Sequence, residues 1–269
     1  ITRAKEYVLR WTRPWLVWLA WRVAVQNLDL ATPLSLAPQI KKGYDNEEEI
    51  RKLVPVVRDS TQLSYERLAT LYNQVRYIED AGLAGAMVEC GSWRGGASGM
   101  MAMASLHNAH IPRHLHIFDS FQGMPEPRVA VDGIAALEWT GTSGNGALRS
   151  TGVNVASAAE VEALVVGRIG YPADHVHIHA GWFQETIPAV RESIGAIALL
   201  RLDGDFYDST RVPLECLYDQ VVLGGVIVVD DYGHFEGCRR AVGEFLKERE
   251  IKVYLGHIDY TGRYFIKAG

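Results

Sequence analysis

Apolar residues fall along this chain in two different rhythms. In the first eighty positions they recur at helical spacing. Ser64 to Asp80 sets Leu68, Leu71, Tyr72 and Val75 on one face of a helix, with Ser64 placed to cap it. Beyond residue 85 the rhythm changes to short, nearly continuous apolar runs. Seven stand out: Ala86–Cys90, His114–Phe118, His175–His179, Ala196–Leu202, Val226–Val229, Ile251–Leu255 and Arg263–Lys267. Runs as apolar as IALLRL and VIVV suit strands buried on both faces, and most are followed by a helical stretch. The alternation predicts an α/β fold with a mostly parallel, doubly wound sheet of seven strands. Only a turn-like segment, 256–262, separates the last two runs. They are expected as an antiparallel pair at the sheet edge.

Three stretches break the pattern. Residues 125–157 are rich in Gly, Ser and Thr and read as a long irregular insertion, either a functional lid or a disordered loop. They follow the second run, so they belong above the carboxyl ends of the strands, where open α/β sheets bind ligands. Residues 29–43 hold two prolines and read as a linker. Near the start, Trp11, Trp15 and Trp18 share one helical face amid several arginines. The uncharged run from Pro14 to Trp21 is too short to span a bilayer, which takes about 20 apolar residues. Packing on the core or on a partner subunit is preferred to a membrane-surface helix, although amphipathicity alone does not separate the two. The expected organisation is a helical arm over residues 1–60 and a catalytic domain over 61–269.

Composition narrows the function. The chain carries 27 basic and 32 acidic residues, a net charge of −5, without a basic stripe, which sets nucleic acid aside as a partner. Its three cysteines, Cys90, Cys216 and Cys238, form no CxxC pair and are odd in number. A disulfide framework is a poor fit, and the reducing cytoplasm is the expected compartment. No signal peptide with a cleavage site is evident.

Three motifs carry chemistry. The first, Val88-Glu89-Cys90-Gly91-Ser92-Trp93-Arg94-Gly95-Gly96-Ala97-Ser98, ends an apolar strand in an acid and opens a helix through a glycine turn. Glycines let a ligand approach the backbone closely, but an ordinary tight turn reads the same way. A dinucleotide GxGxxG is absent. The second, Asp119-Ser120-Phe121-Gln122-Gly123-Met124-Pro125, places an acid at the next strand end, where it can hold the hydroxyls of a ribose or cap a helix. The third is the most specific. Asp203, Asp205 and Asp208 follow the fourth strand, and Asp230 and Asp231 follow the fifth. Carboxylates gathered at two adjacent strand ends are costly unless a cation neutralises them. Oxygen-only donors favour Mg²⁺, Ca²⁺ or Mn²⁺. His114, His116, His175, His177 and His179 run along strands and are expected as packed residues rather than zinc ligands. His234 stands beside the acids, where it either meets substrate or faces solvent.

With these residues in view, the chain resembles the macrocin O-methyltransferase family of antibiotic biosynthesis. The markers are SYERL (Ser64–Leu68), VECGSWRGG (Val88–Gly96), DSFQGMP (Asp119–Pro125), GWFQETIP (Gly181–Pro188), LDGDFYDST (Leu202–Thr210) and DDYGHFEGCRRAV (Asp230–Val242). The resemblance implies a class I, Rossmann-like methyltransferase sheet that binds S-adenosylmethionine, a divalent cation such as Mg²⁺, a hydroxylated sugar as acceptor, and a homo-oligomer. It implies that Glu89, Gly91, Trp93 and Ser98 belong to the cofactor pocket. Asp119 and Ser120 would lie at the ribose, and Gly181 and Trp182 near the adenine or the lid. Asp203, Asp230 and Asp231 would be metal ligands and Asp205 the general base. The nearest rival is a catechol-type O-methyltransferase, which commonly takes its base from a lysine just past the first metal acid. Residues 204–211 contain no lysine and offer Asp205. A non-catalytic protein on the same fold would be expected to have lost these acids.

Overall fold

A computed structural model describes residues 47–269. The predicted tryptophan helix and the 29–43 linker lie outside the described residues. Nine α-helices and seven strands are present among those residues. The helices are α1 (Glu47–Val57), α2 (Tyr65–Asp80), α3 (Gly96–Asn108), α4 (Val129–Asp132), α5 (Ile134–Thr140), α6 (Ala158–Glu162), α7 (Phe183–Ile194), α8 (Tyr207–Leu217) and α9 (Glu236–Glu248). The strands are β1 (Ala86–Cys90), β2 (Leu115–Asp119), β3 (Val176–Ala180), β4 (Ile197–Leu202), β5 (Val221–Val229), β6 (Gly256–His257) and β7 (Arg263–Ile266).

The strands form one sheet in the order β3-β2-β1-β4-β5-β7-β6. β1 to β5 are parallel, and β7 runs antiparallel to both β5 and β6. The period-2 alternation of a strand sends neighbouring residues to opposite faces. Met87 and Leu199 face α2 and α3 through Leu68, Leu71, Met100 and Met101. Val88 and Leu200 face α7, α8 and α9 through Ile187, Leu214 and Phe245. With both faces covered, β1 and β4 are buried along their whole length. Reversal of strand order between β1 and β4 opens a crevice at the carboxyl ends, the ligand-binding edge of such sheets.

Helix α2 forms as its sequence predicts. Ser64 caps it by accepting the backbone N–H of Arg67, and Leu68, Leu71, Tyr72 and Val75 are buried. Ile50 of α1, Val57 and Leu63 join the same core, so the compact body extends ahead of residue 61. No helix among the described residues is long and apolar enough to cross a membrane.

Three expectations are corrected. Ile251–Leu255 is not a strand: Ile251, Val253 and Leu255 turn toward the α9 core, and pairing begins only at β6. β5 begins at Val221 rather than Val226, because the chain passes Gly224–Gly225 in an irregular register without leaving the sheet. Residues 125–157 are neither structureless nor loose. They contain α4 and α5, and a short bridge pairs Pro125 with Ser150. The buried Asp132 accepts the N–H of Arg128 at 2.7 Å and that of Tyr207 at 2.8 Å, which docks the insertion on the start of α8.

Candidate active site

One cleft opens at the carboxyl edge, above β1, β4 and β5. Its floor is the glycine turn after β1. Gly91 sits at φ +94°, and a Cβ there would lie 1.8 Å from the carbonyl oxygen of Asp203, so only glycine fits against β4. Asp119 organises this turn from the end of β2. One carboxylate oxygen accepts the N–H groups of Ser92 (2.8 Å) and Trp93 (2.9 Å), and the other accepts that of Phe121 (2.7 Å). Burial raises the Asp119 carboxyl above its ordinary range, while those N–H groups pull it back down. Asp119 therefore braces two turns rather than capping a helix. Its oxygens keep further lone pairs for a ligand.

Glu89 is fully buried beneath the turn. It stands directly opposite Arg201 in the β1–β4 ladder, and the two meet at 2.7 Å. Ser98 on α3 donates its hydroxyl to the other Glu89 oxygen. Burial pushes the Glu89 carboxyl up to about 7, against the downward pull of Arg201. Arg201 also reaches Asp203 (2.8 Å) and Asp230 (2.7 Å). Arg67, near the start of α2, pairs with the second oxygen of Asp230 and is anchored at 2.7 Å by Asp259.

The remaining acids are arranged differently. Asp203, Asp205 and Asp231 bring one carboxylate oxygen each within 4.8 Å of one another. Asp205 and Asp231 form no ion pair among the described residues. Both carboxyls lie well above the usual carboxylate range, first through burial and then through repulsion by neighbouring acids. Asp230, one of the expected ligands, turns instead toward the two guanidiniums. Burial raises its carboxyl, with Arg201 opposing. The trio that converges thus includes Asp205, expected as the base, and does not include Asp230.

The other sequence candidates divide between the cleft and its support. Trp93, Ser120 and Trp182 line the cleft. Ser98 and Gly181 stand behind its wall. Gly181, at φ +140°, donates its N–H to the Asp119 carbonyl at 2.9 Å, which sets the start of α7 beside β2. His234 lines the cleft, with its ring edge-on to Trp139 at 5.6 Å and to Tyr260 at 6.3 Å. Trp139 on α5, Leu148 and Tyr260 line the same mouth although all three are largely apolar and exposed. They come from the 125–157 insertion and the turn between β6 and β7, which no sequence spacing connects. The histidines of β2 and β3 form a packed ladder, His116 to His179 at 3.1 Å, as expected.

Arg201 and Arg67 were not predicted. Arg201 did carry a signal, since an arginine inside a run buried on both faces must find partners.

The chain has relatives among known proteins. A family model described as Macrocin-O-methyltransferase (TylF) matches residues 41–267. Over 205 residues the chain is 34% identical to 8-demethyl-8-(2,3-dimethoxy-alpha-L-rhamnosyl)-tetracenomycin-C 4'-O-methyltransferase of Streptomyces olivaceus, covering 75% of this chain and 73% of that one. It is 33% identical over 207 residues to demethyldecarbamoylnovobiocin O-methyltransferase of Streptomyces niveus, covering 76% and 74%. The solved structure of the O-methyltransferase NovP superposes with a TM-score of 0.69 at 30% identity, covering 78% of this chain and 83% of that one. The chain thus belongs to the macrocin O-methyltransferase family and is an O-methyltransferase built on the class I methyltransferase sheet.

Proposed function

We propose that the protein transfers the methyl group of S-adenosylmethionine to a sugar hydroxyl on a sugar-bearing natural product, assisted by a bound divalent cation. The observation that carries this reading is the trio Asp203, Asp205 and Asp231, which converges in the cleft with two members lacking a cationic partner among the described residues. Six carboxylates line this cleft, counting Glu89, Asp119 and Asp230. The two arginines are taken up by Glu89, Asp203, Asp230 and Asp259. A divalent cation among the trio supplies the missing charge, and the all-oxygen donors suit Mg²⁺ or Mn²⁺. Asp230 would join such a site by giving up a contact with Arg67 or Arg201.

The acceptor hydroxyl is a weak nucleophile with a high pKa, and a cation held by these acids would lower that pKa and orient the oxygen. The residues of this chain do the rest. Asp205, which lines the cleft beside Asp203 and Asp231, is placed to take the hydroxyl proton. Glu89, the Gly91 turn and Asp119 hold the cofactor, with Ser98 fixing Glu89 from behind. The mouth formed by Trp139, Leu148, His234 and Tyr260 receives the acceptor. The O–CH₃ bond forms as the S–CH₃ bond breaks, in line, so alignment of the three atoms supplies a large part of the rate.

The catechol-type alternative shares fold and cofactor, and acceptors distinguish the two readings. Purified protein is incubated with S-adenosylmethionine and either a glycoside with vicinal hydroxyls or a catechol, with and without EDTA. Methylation of the glycoside that stops in EDTA supports the proposal. Methylation of the catechol alone, or activity unaffected by EDTA, overturns it.

A further inference from the structure

Arg201 stands in the centre of the sheet with its side chain 2% exposed. A guanidinium taken so far from water is strongly disfavoured unless its partners are well placed. It has three, each from a different strand end. Nη1 lies 2.7 Å from Glu89 Oε1 and 2.8 Å from Asp203 Oδ2, and Nη2 lies 2.7 Å from Asp230 Oδ1. The second oxygens of Glu89 and Asp230 are engaged by Ser98 and Arg67. Asp203 is the exception. Its side chain is 28% exposed, and one of its oxygens belongs to the trio with Asp205 and Asp231.

A single guanidinium therefore serves both ends of the cleft. Glu89 belongs to the glycine turn, where the cofactor is expected, and Asp203 belongs to the cluster that suits a cation. A planar, rigid fork cannot move toward one partner without drawing away from another. On the functional reading above, we propose that Arg201 is a positioning residue that sets cofactor and cation against each other. A cofactor that engages Glu89 leaves the guanidinium to Asp203 and Asp230 and weakens the cation. A cation that draws on Asp203 leaves it to Glu89 and weakens the cofactor. The two effects are equal by thermodynamic necessity. Each ligand is thereby loosened in the full complex, where release must follow transfer and is often the slow step.

The test is titration of the full chain with Mn²⁺, reading free ion by EPR, with and without saturating S-adenosylhomocysteine. The expected result is a Kd for Mn²⁺ raised about 5- to 10-fold by the nucleoside, at the lower end of measured couplings. Glu89→Gln keeps the shape and removes the charge. It is expected to weaken Mn²⁺ by a similar factor alone and to cancel the effect of the nucleoside. Arg201→Lys keeps a buried cation that cannot span three carboxylates, and it is expected to lose the coupling. A purely structural arginine would lower Tm and leave the ratio of the two Kd values intact. In wild-type protein, Mn²⁺ affinity that is equal within twofold in both conditions overturns the proposal. So does a ratio that survives undiminished in either variant. If wild-type protein binds neither probe, the functional reading falls and this proposal falls with it. If it binds both independently, only this proposal falls.

Discussion

Asp205 donates its backbone N–H to the Asp231 carboxylate at 3.1 Å, and it adopts φ +66° to do so. The left-handed turn folds the chain past β4 back over the end of β5 and brings the two acids into one cluster. Asparagine tolerates such a backbone better than most residues. Asp205→Asn is therefore expected to keep the fold and the N–H contact while removing the proton acceptor. Turnover should fall about 10²- to 10⁴-fold, the usual worth of a general base, with S-adenosylhomocysteine affinity unchanged. Calorimetry and steady-state rates check this, and a large loss of affinity would contradict the assignment.

Stability should depend on pH with a sign set by the same acids. The raised carboxyls of Asp205 and Asp231 mean that the folded chain holds protons more tightly than the unfolded one. Their contribution is complete below the ordinary carboxylate value of about 4 and is lost as pH rises through the raised values. Without a divalent cation, Tm should fall as pH rises above that range, and Mn²⁺ should restore it more strongly at higher pH. His116 works in the opposite direction. Burial pushes it down to about 3, so its contribution is present above the ordinary histidine value of about 6.5 and fades as pH falls toward 3. Thermal melts across pH, with and without Mn²⁺, read both limbs. A Tm insensitive to Mn²⁺ at every pH would contradict the cation site.

Gly91→Ala tests the turn. Its Cβ would meet the Asp203 carbonyl at 1.8 Å on a backbone at φ +94°. Strain and displacement of β4 from β1 should cost about 3 kcal/mol or more, and cofactor binding should be lost with it. Urea unfolding gives the first number and calorimetry the second. A variant as stable as the parent would show that the strand ends are less closely packed than the structure indicates.

Trp139→Ala tests the acceptor mouth. The indole packs edge-on to His234 and Phe235 and is 45% exposed, so little of the fold rests on it. The KM for a glycoside should rise about tenfold, which is the loss of roughly 1.4 kcal/mol of apolar contact. The KM for S-adenosylmethionine should not move. An equal rise in both would place Trp139 on the cofactor instead.

The strands and the acids at their ends were legible in the sequence because each depends on its immediate neighbours. A run such as IALLRL buries both faces wherever it is placed, and an acid that follows it lands at the carboxyl edge. Ser64 and the buried face of α2 were legible for the same reason, since capping and helical periodicity act within a few residues. The extra length of β5 was hidden because Gly224–Gly225 looks like a break. The glycines are in fact held in place by Lys267, which exchanges hydrogen bonds with both across the edge of the sheet.

The sequence alone determined the doubly wound sheet, the glycine turn and the supply of carboxylates at two strand ends. Tertiary structure decided which carboxylates act together. Register sets Glu89 opposite Arg201, and Arg201 and Arg67 hold Asp230, which leaves Asp203, Asp205 and Asp231 to converge. It also decided that Trp139, His234 and Tyr260 share one mouth. Local pattern fixes elements because it depends on residues close in the chain. Charge pairing and the walls of a cleft depend on residues more than a hundred positions apart, such as Glu89 and Arg201, whose meeting follows only from the packing of the whole sheet.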